Sequence, residues 1–157
     1  MVSRFKINYL LIPLFAIITA SAASYFADVG MAWYKTINIP DWTPSNSLMV
    51  IAWTTIFILG SLSLLIIWNK YSSEKTFGLI IALFTINALL IVGWNILFFS
   101  QQQMGLAFFQ AILLVVDLAL LIVLIWPISP LAATLLFPYS LWVSFTTALT
   151  YNVWIIN

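Results

Sequence analysis

Trp33-Tyr34-Lys35-Thr36-Ile37-Asn38-Ile39-Pro40-Asp41-Trp42-Thr43-Pro44-Ser45 is the one long polar interruption in an otherwise apolar chain. Two prolines bracket a tryptophan. Each fixes its own φ and biases the residue before it away from helix. The stretch therefore reads as a stiff, shaped loop, set between two apolar runs long enough to cross a bilayer. A rigid aromatic loop at a membrane surface is either an anchor or a lid over a cavity.

Composition decides the solvent. Of 157 residues, 64% are hydrophobic and 6% charged. Soluble domains average about 45–50% apolar and about 25% charged, so this chain cannot clothe a globular surface in polar groups. At roughly 20 apolar residues per span there is room for five helices and for no soluble domain. The expected fold is all-α, an integral membrane bundle of five transmembrane helices. The net charge of +1 supplies no basic patch for nucleic acid. With no cysteine or histidine, disulfides, thiolate nucleophiles, histidine-based triads and the usual ligation of zinc or haem are excluded. No cofactor and no metal site is expected. The unusual resource is eight tryptophans and twelve phenylalanines, many of which suit interfacial belts and lipid-facing bulk.

The first span is read as Ile7 to Ala27, after Arg4 and Lys6. Its Ala16, Ala20 and Ser24 recur every four residues, a stripe that lets another helix approach closely. The first 22 residues also mimic a signal peptide, with a basic start and Ala20-Ser21-Ala22. The apolar run continues past that point, which favours a retained span. A loop over 28–45 follows. The second span is Asn46 to Trp68, capped by Ser45, Asn46 or Ser47. The third is Phe77 to Phe99, ending in a tight Gln101-Gln102-Gln103 turn. The fourth is Gly105 to Trp126, broken off by Pro127 and Pro130. The fifth, Leu131 to Ile155, carries Pro138 inside it, where a kink is expected.

Lysine and arginine near the span ends set orientation. Arg4, Lys6, Lys70 and Lys75 lie on one side and Lys35 on the other. This favours a cytoplasmic N-terminus, with the Trp33–Ser45 loop and the end of the fifth span facing outward.

Asp117 is the only ionisable side chain deep inside a span. It must face the bundle interior or carry a proton. It is either a polar handle on a ligand or, more simply, a carboxyl hydrogen-bonded to a neighbouring helix. One carboxylate without a cationic partner does not make an ion pathway. Asn87 and Asn95 lie about 80° apart around their helix and read best as interhelical hydrogen bonders. Trp53 and Phe57 stand one turn apart in the second span. Tyr139, Trp142 and Thr146 form a stripe in the fifth. Such stripes usually mean packing, but both approach the aromatic loop, and a tryptophan-lined pocket with a few hydroxyls suits a flat, apolar ligand. Leu65, Tyr71 and Lys75 fit the loose pattern proposed for cholesterol contact; they are equally ordinary residues of a helix end.

Taken in order, Trp33-Tyr34, Pro40-x-Trp42-x-Pro44, Trp53, Trp94-x-x-x-Phe98-Phe99, Gly105-Leu106-Ala107 with Asp117, Pro138-Tyr139-x-x-Trp142-x-x-Phe145 and Asn157 resemble the translocator protein/tryptophan-rich sensory protein (TspO/MBR) family. The resemblance covers nearly the whole chain. It implies a five-helix bundle, often a homodimer, whose pocket under the first loop binds porphyrins and, in relatives, sterols and benzodiazepine-type drugs. It implies a role as sensor, regulator or carrier of tetrapyrroles in a multi-pass membrane setting, here expected to be a bacterial cell membrane. Carried over by position, the ligand-binding residues are Ser24, Tyr34, Pro44, Trp53, Phe57, Ile91, Trp94, Trp142 and Thr146. Some members are credited with light- and oxygen-dependent breakdown of protoporphyrin by two pocket tryptophans, which would be Trp53 and Trp142 and would be the catalytic residues of such a reaction.

Three positions depart from the family pattern. Ser45 stands where a second proline is usual, Ile91 where an asparagine is usual, and Leu149-Thr150 where the family has Leu-Asn. The second and third of these changes remove asparagine amide contacts to a ligand. Three readings follow: a porphyrin-binding sensor or carrier, a tryptophan-dependent photo-oxidative activity on porphyrin, and a structural or interaction protein whose tryptophans only pack. The first is favoured by the aromatic pocket together with the resemblance.

Overall fold

The computed structural model describes residues 6–157; Arg4 lies outside the described residues. Among the described residues five helical segments are long and apolar enough to cross a membrane: Asn8–Tyr34, Asn46–Tyr71, Phe77–Ser100, Met104–Ile125 and Pro130–Ile156. The protein is an all-α, multi-pass membrane bundle. The elements are α1 (Asn8–Tyr34), α2 (Asn46–Tyr71), α3 (Phe77–Asn95) running into a π turn at Ile96–Ser100, α4 (Met104–Ile125), α5 (Pro130–Thr134) and α6 (Phe137–Ile156).

Lipid is as apolar as leucine, so the helices are not driven together by hydrophobicity but by close packing and hydrogen bonds. The buried positions show how. They run Ile56, Gly60, Ser63, Ile67 on α2, Ile80, Phe84, Asn87, Ile91 on α3, and Ala107, Ala111, Leu114, Leu118, Leu121, Ile125 on α4. Spacings alternate four and three, the seam of left-handed helix packing. The other faces, with Leu113, Val116, Leu120 and Val123, are exposed to the hydrocarbon. Small residues set the closest approaches. A Cβ on Gly30 would overlap the Phe99 carbonyl, so α1 meets the π turn backbone to backbone. Ser63 Oγ donates to the Ala132 carbonyl at 2.8 Å, tying α2 to α5.

The first helix does not end at Ala27. It continues to Tyr34, and the loop is shortened to Lys35–Ser45. The extension is held by its last aromatic residues. Trp33 lies edge-on to Phe98 at 5.8 Å, and Tyr34 packs on Phe99 at 5.5 Å. No breaker intervenes, because Gly30 is used for helix contact instead.

Pro138 does not kink a helix interior either. The fifth span is broken at Leu135-Leu136, and Pro138 falls in the first turn of α6. A missing N–H there removes a donor that has no intrahelical partner anyway. The glutamine turn is present, with Gln102 at φ 58° and Gln103 N–H donating to the Leu97 carbonyl at 2.8 Å.

Candidate functional site

The 35–45 loop is a strap tied across the end of the bundle. Thr43 closes a turn around Asp41-Trp42, its N–H and Oγ1 donating to the Pro40 carbonyl at 3.0 and 2.6 Å. Ser45 is the N-cap of α2, its Oγ accepting from Leu48 N–H at 3.3 Å. Two pins fix the strap to α6. Asn38 exchanges a pair of hydrogen bonds with the Asn157 side chain. Trp42 lies edge-on to Phe145 at 5.7 Å, and Phe145 rests on Trp142 at 5.4 Å. Twelve residues separate the pins on α6, roughly 18 Å of helix rise.

Inside the bundle the expected site residues fall into separate groups. Trp53, Phe57, Ile91 and Trp142 all join the central core. Trp53 and Phe57 are 6.2 Å apart. The Trp142 indole is half-buried, and its Nε1 is buried without a partner among the described residues. Tyr34 and Trp94 lie instead in a second cluster at the strap end, with Phe98, Leu149 and Val153 at its centre and Ile37 of the strap against it. One face of Trp94 is occupied there, stacked on Phe98 at 4.9 Å and 9°. Pro44 and Thr146 are half-buried, and the Thr146 hydroxyl is spent on the Val143 carbonyl of its own helix at 3.1 Å.

Ser24 is exposed. The buried face of α1 is Ile12, Thr19, Ala23 and Gly30. Steps of four residues drift about 40° each around a helix, so the Ala16-Ala20-Ser24 stripe leaves that face by the time it reaches Ser24.

A cavity of about 50 Å³ lies between α1, α2, α3 and α6, with Phe57 and Ile91 among its walls and Asn87 and Tyr139 as its polar part. Asn87 Nδ2 donates to Asp117 Oδ2 at 2.9 Å, and the Tyr139 hydroxyl donates to Asn87 Oδ1 at 2.5 Å. This chain joins α3, α4 and α6. Asn87 is the interhelical bonder expected of it, and Asp117 is its anchor, whereas Asn95 bonds only the Ile91 carbonyl of its own helix. The Asn87–Tyr139 pairing was not visible in the sequence; Thr19 on the wall was signalled only by its register with Ile12 and Ala23. Leu65 and Tyr71 of the Leu65–Lys75 stretch pack against the central core.

The cavity has room for one or two waters. Ligand pockets run to about 300–1,000 Å³. A flat ligand of tetrapyrrole size therefore fits only once the strap or α1 has shifted.

A model described as the TspO/MBR family matches residues 9–155. The chain is 32% identical over 136 residues to the tryptophan-rich protein TspO of Bacillus cereus, covering 86% of this chain and 87% of that protein. It is 31% identical over 126 residues to the translocator protein of Homo sapiens, 80% of this chain and 75% of that one. With protein CrtK of Rhodobacter capsulatus it shares 28% identity over 126 residues, 80% and 79% of the two chains. The match reaches from the first span to the last, and the chain belongs to the TspO/MBR family.

Proposed function

We propose that the protein binds flat, apolar, weakly polar ligands of the porphyrin class beneath the 35–45 strap and acts as a membrane sensor, regulator or carrier of tetrapyrroles. The observation that carries this reading is Trp142. Its indole N–H is buried without a partner, and its ring is coupled through Phe145 to Trp42 of the strap. A stranded donor costs about 1–3 kcal/mol. A ligand that offers an acceptor and a π face recovers that cost, and the same movement that admits it lifts Trp42. Trp53 and Phe57 on α2 supply the facing aromatic surface. Ser24 lies outside this site, and Trp94 supports it from the neighbouring cluster.

In this reading the strap is a lid on the outer side of a bacterial cell membrane, the N-terminus is cytoplasmic, and the apolar outer faces of α4 and α6 are available to a second copy. The test is titration of the purified protein with protoporphyrin, read as quenching of tryptophan fluorescence. Binding saturates in the parent and weakens by at least about tenfold when Trp53→Phe and Trp142→Phe are combined. Equal affinity in the double variant would place the ligand elsewhere.

A further inference from the structure

We propose a second binding site, below the tryptophan site under the strap and sharing the Phe57 and Ile91 walls with it, that takes a neutral single-chain alcohol from the lipid phase. Its floor is the Asn87–Tyr139 cavity. Its entrance is a groove of about 330 Å³ between α1 and α2/α3, walled by residues such as Leu11, Leu14, Ile18, Trp68 and Ile81. The groove and the cavity share Ile12, Phe15, Leu64 and Phe84 in their linings, so they are continuous. The groove uses the early turns of α1 and α3 and the last turns of α2. It therefore opens in the half of the membrane away from the strap.

The chemistry of the floor selects the occupant. Asn87 is 4% exposed, and Asp117 sets its orientation. A carboxylate oxygen receives the amide N–H, which turns the amide oxygen toward the Tyr139 hydroxyl. An asparagine amide has two N–H groups and a tyrosine oxygen retains acceptor capacity. The floor can thus give one hydrogen bond and take one, which is the pairing a hydroxyl makes. Among the described residues no charged side chain lines the groove or the cavity, so a carboxylate or phosphate head would go unpaired. Hydrocarbon gains little by leaving lipid for an apolar groove; preference over bulk lipid must come from the hydroxyl. Gly60 keeps the space open. A Cβ there meets nothing nearer than the Tyr139 ring at 4.0 Å, so a side chain at 60 grows into the cavity.

The experiment uses the full chain in phosphatidylcholine nanodiscs with a diazirine-bearing hexadecanol as probe and the matching hexadecane as control. After illumination, labelled peptides are mapped. The alcohol labels segments 56–64 and 84–91, and the alkane labels them about tenfold less. Gly60→Ala folds with room to spare, and Gly60→Leu drops alcohol labelling to the alkane level. Should Gly60→Leu fail to fold, the Asn87→Leu/Asp117→Leu/Tyr139→Phe variant removes every polar group of the floor without stranding a carboxyl or a hydroxyl and gives the same loss. Trp53→Phe with Trp142→Phe leaves the labelling unchanged. Equal labelling by alcohol and alkane, or label that follows the two tryptophans, overturns the proposal.

Discussion

Asn157 and Asn38 face each other across the end of the bundle and exchange two hydrogen bonds: Asn38 N–H donates to Asn157 Oδ1 at 2.9 Å, and Asn157 Nδ2 donates to the Asn38 carbonyl at 2.8 Å. A side-chain amide here does what a neighbouring strand would do for an isolated peptide unit. Nδ2 also reaches the Val153 carbonyl at 2.8 Å, which ties the clamp to the last turn of α6. Asn157→Ala removes all of this from an exposed position. Global stability is expected to fall by no more than about 1 kcal/mol, while the strap opens more often. Amide hydrogen exchange over residues 36–43 should accelerate in the variant with exchange in α3 and α4 unchanged. Protection of the strap equal to the parent's would mean that the Trp42–Phe145 contact alone holds it.

The Tyr139–Asn87–Asp117 chain gives a stability cycle. Asp117→Leu strands an N–H of Asn87, and Asn87→Leu strands a carboxyl; each should cost about 1–3 kcal/mol. The double variant, with both groups gone, should cost less than the sum by about 1 kcal/mol, the scale of interhelical hydrogen bonds in membranes. Asp117→Asn keeps an acceptor toward Asn87 and should be mild. Reversible unfolding in mixed micelles measures all four. Strict additivity would show that the hydrogen bond contributes nothing beyond the separate side chains.

Gly30 and Gly78 offer a matched pair. A Cβ on Gly30 would overlap the backbone of Phe99, whereas on Gly78 it meets nothing within 4 Å. Gly30→Ala should destabilise by about 1–3 kcal/mol through overpacking. Gly78→Ala should gain up to about 1 kcal/mol from helix propensity. Thermal unfolding of the two variants beside the parent decides it, and a Gly30→Ala protein as stable as the parent would mean that α1 can slide away from the π turn.

How far these features could be read from the chain depends on their range. Five spans followed from composition and apolar run length, because the bilayer imposes both. The tie between strap and last span followed only as a shared side of the membrane; the Asn38–Asn157 clamp joins residues 119 apart and has no local signature. α1 runs seven residues past Ala27, where the apolar pattern ends it, since Trp33 and Tyr34 carry no helix signal of their own and are held by Phe98 and Phe99 from α3's π turn. Ser24 is exposed, because the 3.6-residue turn carries it off the packed face of α1. Trp53, Phe57, Ile91 and Trp142 did converge on one core, but Tyr34 and Trp94 converged on another. Which of two clusters an aromatic side chain enters depends on rotation of its helix by less than one residue's step, and no spacing rule resolves that.

Trp142 and Tyr139 separate ligand binding from folding. The Trp142 N–H has no partner, while the Tyr139 hydroxyl is buried and engaged with Asn87. Trp142→Phe loses ring area but also removes a stranded donor, so stability should stay within about 1 kcal/mol of the parent. Protoporphyrin affinity should nonetheless fall about tenfold. Tyr139→Phe should do the reverse, lowering stability by about 1–3 kcal/mol with little change in protoporphyrin affinity. Paired unfolding and fluorescence titrations on the two variants check the division. Loss of both properties together in Trp142→Phe would make that tryptophan a packing residue.

Ser45 joins the strap to α2, and a proline there tests whether the strap gates the site. Its φ of −60° already suits proline. The substitution removes the cap on Leu48 N–H, worth about 1 kcal/mol. It also narrows the unfolded chain, a gain of about 0.4–1 kcal/mol. The two nearly cancel, so Ser45→Pro should fold with stability close to the parent's. Its effect should appear in rates instead. A stiffer hinge between Pro44 and α2 makes the strap lift less often, and both association and dissociation of protoporphyrin should slow by similar factors, leaving the dissociation constant nearly unchanged. Stopped-flow quenching of tryptophan fluorescence resolves the two rates. If both equal the parent's, the ligand does not pass beneath the strap, and the route between α1 and α2 becomes the entrance to examine.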